Sequence, residues 1–256
     1  MRGVPPPIRN IELRDRLSEL VREALSEAER GAPLCALRAF FHLLPPQGRR
    51  EVLHDALIDA VERAFRAVGL RMSPKDAIEE LLNSQLLRQR DDGAGMLWVA
   101  PGHGLEGELT AAILRTEASC RALETQARRQ ARSAGEVERA IETAARLFNE
   151  GLFFEVHEVL EAVWLKQREL TRPLLQGLIQ IAVAFHHLEN GNFRGALSLL
   201  KEGREKVKDY RPARFGLELA RFLEQAAACA HSIEALGKEA FDRFDRRMIP
   251  KLHLSE

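Results

Sequence analysis

Phe148-Asn149-Glu150-Gly151-Leu152-Phe153-Phe154-Glu155-Val156-His157-Glu158-Val159-Leu160-Glu161-Ala162-Val163-Trp164 decides how this chain is read. Just upstream, Val137, Ile141, Ala144, Ala145 and Phe148 recur at helical spacing, and Asn149-Glu150-Gly151 stops that helix because glycine readily enters the left-handed cap conformation. A second helix follows at once, from position 152 to about 167. Pro173 stands near the start of a third, 174–189, which is apolar nearly all the way round and so belongs at the centre of a bundle. Asn190-Gly191 ends it, and a fourth helix runs from Phe193 to about Val207. Moving forty positions along the chain carries Ala144, Gly151, Phe153, Val156 and Leu160 onto Ala184, Gly191, Phe193, Ala196 and Leu200. The pattern predicts two similar helical hairpins packed together.

The same shift isolates what a hairpin does not require. His157, Glu161 and Trp164 fall on Leu197, Lys201 and Arg204. On a helix these three lie within about 60° of one another and share one stripe. On the next helix Gln176, Gln180 and His187 share a comparable stripe, with His186 about 100° away from His187. Together the six define a candidate ligand pocket. An imidazole and a carboxylate at i and i+4 suit zinc, iron or manganese, but two ligands are too few. His157, Glu161 and His187 form the candidate metal set, with Gln180 or Glu158 next in order and an open position for water. The competing expectation is a His-Glu-Gln-His hydrogen-bond network that locks two helices together under Trp164.

The quoted stretch, followed by Gln176-Gly177-Leu178-Ile179-Gln180 and by His186-His187 before Gly191-Asn192, resembles an uncharacterised prokaryotic family catalogued as domain of unknown function 309. Its signature is HxxxExx(W/Y), matched by His157, Glu161 and Trp164. The resemblance covers residues 136–210. It implies an all-helical domain and a metal-binding role for the His and the Glu, and it does not extend to the long N-terminal region.

That region opens on Pro5, Pro6 and Pro7, after which Leu13, Leu17, Leu20, Val21 and Leu25 mark a first helix. A second apolar stretch spans 34–44 and stops at Pro45-Pro46, and residues 52–68 read as a third helix, with Leu53, Leu57, Val61 and Phe65 four apart before Gly69. Ser73 and Pro74 signal the start of a helix reaching to about Leu87. Residues 86–90 and 96–100 then flank Asp91-Asp92-Gly93-Ala94-Gly95, which reads as a β-hairpin. Helices followed by one hairpin resemble the element order of a winged-helix domain. Residues 106–135 read as a solvated helical connector, and the Ser133-Ala134-Gly135 break marks a boundary. After the bundle, a helix from about Leu217 is expected to cover it, and Phe241, Phe244, Met248 and Ile249 to pack on the N-terminal domain or on a second subunit.

The expected organisation is therefore mainly α: a winged-helix-like domain at 1–105, a connector at 106–135 and a helical bundle at 136–256. Composition narrows the function classes. The chain has 256 residues with 38 basic and 38 acidic side chains intermixed along the helices, which disfavours a basic nucleic-acid binder. The apolar content of 45% supports a real core. Cys35, Cys120 and Cys229 are too few and too scattered for a disulfide framework or a CxxC site, and no run approaches the roughly 20 apolar residues of a membrane span. A cytoplasmic protein with no membrane contact is expected. GxxxxGK[ST], GxGxxG ahead of a helix and GxSxG are all missing, and Glu161 stands where HExxH would need its second His. His103, between two glycines, reads as an exposed loop residue. Three functions compete: a pocket for a divalent transition metal or small ligand; a noncatalytic scaffold binding a protein partner or a second copy; and DNA-dependent regulation through residues 1–105.

Overall fold

The computed structural model describes residues 8, 10–26, 28–45, 50–98, 105–127, 135–168, 171–210 and 215–254. It is mainly helical, with one small antiparallel sheet, and divides into two compact units, Ile8–Leu123 and Glu124–Glu256. No helix among the described residues is long and apolar enough to cross a membrane. His103 and residues 128–134, with the first two residues of the expected Ser133–Gly135 break, lie outside the described residues.

In the N-terminal unit, α1 (Ile11–Ser26) and α2 (Ala32–Leu43) are followed by strand β1 (Glu51–Leu53), α3 (His54–Val68), α4 (Pro74–Asn83), β2 (Leu87–Gln89), β3 (Gly95–Trp98) and α5 (Leu105–Ala127), which runs across the division between the units. Leu57, Val61 and Phe65 of α3 are buried at the four-residue spacing read in the sequence. Ser73 caps α4 by accepting the Lys75 N–H, and Pro74 takes its first turn, where a missing N–H costs nothing. Met96 and Trp98 are buried, and the Trp98 indole meets Phe41 of α2 edge-on at 5.0 Å.

Two expectations are corrected in this unit. Residues 52–68 are not one helix: Glu51–Leu53 peel off as β1 and pair with β3, which becomes the central strand of the order β1-β3-β2. The hydrogen bond from His54 N–H to the Ala94 carbonyl extends that pairing to the first residue of α3. A three-residue strand exists only through a partner more than forty residues away, so helical periodicity carries straight through it. The connector is not solvated either. Ala111, Ala112, Thr116, Ala118, Ser119 and Cys120 of α5 are buried, Arg115 is 3% exposed, and Glu117 receives both Arg38 and His42 of α2. The intermixed charges of α5 hid an alanine-rich face that is buried.

The C-terminal unit is built from α6 (Glu136–Asn149), α7 (Phe153–Trp164), α8 (Thr171–Glu189), α9 (Phe193–Val207) and α10 (Leu219–Leu236). The forty-residue repeat is visible in the backbone. Gly151 and Gly191 both take left-handed φ, 78° and 71°, and the next residue of each turn closes the same bond, Leu152 N–H to the Leu147 carbonyl and Asn192 N–H to the His187 carbonyl. Ala144, Ala184, Val156, Ala196, Leu160 and Leu200 are all buried. As its composition requires, α8 is central, packing on α7 and on α9. Phe148 gathers Phe153, Phe185 and Phe222 around itself at ring separations of 5.0, 5.7 and 5.4 Å.

The chain beyond α10 folds back on the same unit. Phe241 meets Phe193 edge-on, 5.6 Å between centroids, so this ring packs within its own unit. Asn149 donates to the Leu252 carbonyl and accepts the Leu252 N–H, its own carbonyl takes the Lys251 ammonium, and Glu218 N–H bonds to the His253 carbonyl. The Cys229 thiol, pushed up to about 12 by burial, donates to the Met248 carbonyl and is chemically quiet there.

The contact between α8 and α9 is the most extensive helix pairing among the described residues, and two glycines permit it. A Cβ on Gly177 would stand 2.8 Å from the Gly203 carbonyl oxygen and inside the Val207 side chain, and one on Gly203 would stand 2.7 Å from the Gly177 carbonyl oxygen and 2.9 Å from the Ile181 nitrogen. These obstacles are largely backbone, which cannot rotate away. Gly177→Ala and Gly203→Ala are each expected to lower unfolding free energy by about 1–3 kcal/mol in denaturant titrations. Gly31→Ala, whose methyl would meet Ala24 Cβ at 3.6 Å from a backbone with φ −77°, is expected to be neutral or slightly stabilising. Equal losses for all three would refute the close-approach argument.

Candidate functional site

The inward positions of α7 are taken by Phe153, Glu155, Val156, Leu160 and Val163, all buried. That assignment turns the stripe of His157, Glu161 and Trp164 to the flank of the helix, where their side chains are partly exposed. The His157 ring sits between two carboxylates of its own helix: Nδ1 is 3.1 Å from Glu158 Oε1 and Nε2 is 3.5 Å from Glu161 Oε2. Side-chain exposure is 25% for His157, 23% for Glu158 and 44% for Glu161. Among the described residues, His157, Glu158 and Glu161 form the one group of three His, Cys, Asp or Glu side chains able to close on an ion, with one donor atom from each lying within 4.8 Å of the others.

The polar residues of α8 go elsewhere. Gln180 donates through Nε2 to Glu202 Oε2 at 3.1 Å, and Glu202 also accepts the Ser198 hydroxyl, so Gln180 serves the α8–α9 contact. Gln176 is partly exposed on the same helix. His187 also turns toward α9. Its ring packs over Gly195, where a Cβ would come within 2.7 Å of it, and its Nδ1 lies 3.2 Å from Asn192 Nδ2. Of the α8 imidazoles, the one that approaches α7 is His186, whose ring lies 5.5 Å from that of Phe154, itself 6.0 Å from His157. Thus His157 and Glu161 come together, Glu158 joins them, and Gln180 and His187 have their partners on α9. A single His-Glu-Gln-His network between α7 and α8 is not formed by these bonds.

Trp164 closes the C-terminal end of the stripe. The Arg172 guanidinium, from the first turn of α8, stands 4.0 Å above the indole and donates through Nη1 to the Gln167 carbonyl. The indole Nε1 is buried without a hydrogen-bond partner among the described residues. Periodicity within one helix could not have indicated Arg172, because the pair forms across an interhelix connection. Glu158 was marked in the sequence only as a secondary ligand. It stands about 100° round the helix from His157, and the length of its side chain closes that gap.

Residues 141–199 match the family model described as domain of unknown function (DUF309). The matched segment is under a quarter of the chain and takes in most of α6, all of α7 and α8 and the start of α9, so the stripe and its two flanking turns lie inside it. No curated protein matches the chain.

Burial, and then the charge of His186, push the His187 imidazole below its ordinary value of 6.5. The hydrogen bonds agree. Asn192 Oδ1 accepts the Gly195 N–H, which orients the amide so that its NH2 faces Nδ1, and Nδ1 must then accept. The folded protein therefore takes up fewer protons than the unfolded chain as pH falls through about 6.5, and stability present above that pH is lost below it. Thermal melts between pH 8 and pH 5.5 should show this loss, and His187→Gln should flatten it. An unchanged slope in the variant would show that His187 is not the group responsible.

Proposed function

We propose that the C-terminal unit binds a divalent transition metal on the flank of α7, using one nitrogen of His157 and a carboxylate oxygen from each of Glu158 and Glu161. The observation that carries the reading is the imidazole with a carboxylate at each of its two nitrogens. The two carboxylates are like charges brought close together around one ring, which disfavours both being ionised without a counter-charge. A cation removes that conflict. Metal–ligand bonds of about 2.0–2.2 Å require the donors to contract by roughly 1 Å from their present spacing, within reach of carboxylate rotamers on an exposed helix face. One neutral nitrogen with two carboxylate oxygens suits zinc, iron or manganese. Three ligands from one helix leave the outward side of such an ion to water or to a ligand. The reading is one of binding, and it assigns no reaction.

Elemental analysis of protein purified without chelator, followed by Co2+ titration, tests this. About one equivalent of bound metal is expected, and less than about one-tenth equivalent with no Co2+ uptake would refute it. His157→Ala and Glu161→Gln should each weaken the metal by about tenfold or more, and His187→Ala should leave it unchanged. Loss of affinity in His187→Ala would instead make His187 the third ligand. If His157→Leu lowers the melting temperature while no variant alters metal content, the stripe belongs to a noncatalytic scaffold.

For the N-terminal unit, the order of helices around a three-stranded sheet supports a winged-helix-like packing module more than a DNA reader. The exposed side of α4 carries Asp76, Glu79 and Glu80. Desolvation, and then the like charge of Glu23, hold the Glu80 carboxyl above its ordinary value, with Arg30 acting against them. A surface where carboxylates already crowd one another repels phosphates. No salt-sensitive binding to duplex DNA is expected at low ionic strength, and binding abolished by deleting residues 1–105 would overturn this.

A further inference from the structure

The geometry points to an oxyanion, a carboxylate or a phosphate group, as the ligand of the α7 site, held between the metal and the guanidinium of Arg172. The inference rests on the metal reading above. Trp164 lies one turn beyond Glu161 on the same stripe, and helical side chains lean toward the N-terminus, so the indole lies over the turn that carries Glu161. Arg172 stacks on that indole at 4.0 Å. Stacking uses the face of the guanidinium, and the Gln167 carbonyl takes Nη1. The other edge donors of Arg172 have no protein acceptor among the described residues, and no carboxylate there pairs with it. Lys166, just beyond the end of α7, is by contrast held by Glu136 at 2.7 Å.

Charge then selects the ligand. A divalent ion bound by a neutral imidazole and two carboxylates is locally neutral, and the charge of Arg172 has no carboxylate partner among the described residues. Trp164, on which the guanidinium stacks, stands three residues beyond Glu161 on the same partly exposed stripe. A planar fork that donates two parallel N–H bonds fits a carboxylate or a phosphate better than a neutral ligand. The indole contributes position: it holds the cation beside the ion without neutralising it, as a carboxylate in the same place would. In the second hairpin Arg204 stands where Trp164 stands in the first, so the aromatic platform is peculiar to the half that carries the His and the two Glu residues.

The test uses the full chain loaded with Co2+ and titrated separately with inorganic phosphate and with acetate, read by calorimetry and by the visible absorption of the ion. At least one anion is expected to bind and to perturb the Co2+ spectrum, and the stronger of the two identifies the group. Arg172→Gln should weaken that anion by about tenfold while leaving Co2+ affinity unchanged. Arg172→Lys, which keeps the charge and loses the fork, should fall between. Unchanged anion affinity in Arg172→Gln, or equal anion binding with and without Co2+, would overturn the bridging ligand while the metal site stood. Failure of Co2+ to bind the wild-type chain would overturn the metal reading itself. Melting curves of both variants establish that each is folded, and Arg172→Lys decides the matter if the glutamine variant is not.

Discussion

The left-handed turn at Gly151 fixes what the C-terminal unit can present. It reverses the chain after α6 in three residues and starts α7 with Phe153 pointing into the core, against Phe148 and Phe185. Once Phe153 is committed, helical geometry commits Val156, Leu160 and Val163 to the same side. His157 and Glu161 are left on the flank, where an imidazole and carboxylates can be partly hydrated instead of carrying the full cost of burial. The position of the site is thus a consequence of where the aromatic core begins, one turn upstream.

The two hairpins share a backbone plan and part ways in what they do with the equivalent stripe. On α9, Lys201 stands where Glu161 stands on α7, and it pairs with Glu234 of α10 at 2.9 Å. That helix packs on α9, so the stripe of the second hairpin is spent on an intramolecular contact. The corresponding stripe of α7 stays partly open. The glycine pair Gly177 and Gly203 adds a second difference, because the first hairpin has Val137 and Val163 at the matching positions. The second hairpin is the closely packed one, and the first carries the His157, Glu158 and Glu161 cluster.

Most of the helices could be read directly, because their apolar residues recur with one period and their ends carry Gly151, Gly191 or the Ser73-Pro74 pair. The repeat was legible too, since it needs only a comparison of the chain with itself. What could not be read depends on partners distant in sequence. Strand β1 is three residues long and is defined by β3. The buried face of α5 is made of alanines scattered among charges. Within the site, periodicity put Gln180 and His187 on one stripe of α8, but it says nothing about which neighbour that stripe meets, and the neighbour is α9. Glu158 joins the cluster through side-chain length, a quantity that angular position alone does not contain.

The clasp at Asn149 joins residues that lie 103 apart in the chain, and this bears on the order in which the unit can be assembled. During synthesis the segment carrying the stripe leaves the ribosome long before Leu252, whose backbone completes the polar bonding of the Asn149 amide. The hairpins can form early from local contacts, while the end of α6 waits for a segment made about a hundred residues later. For that interval the nascent bundle has α7 in place and one corner unfastened.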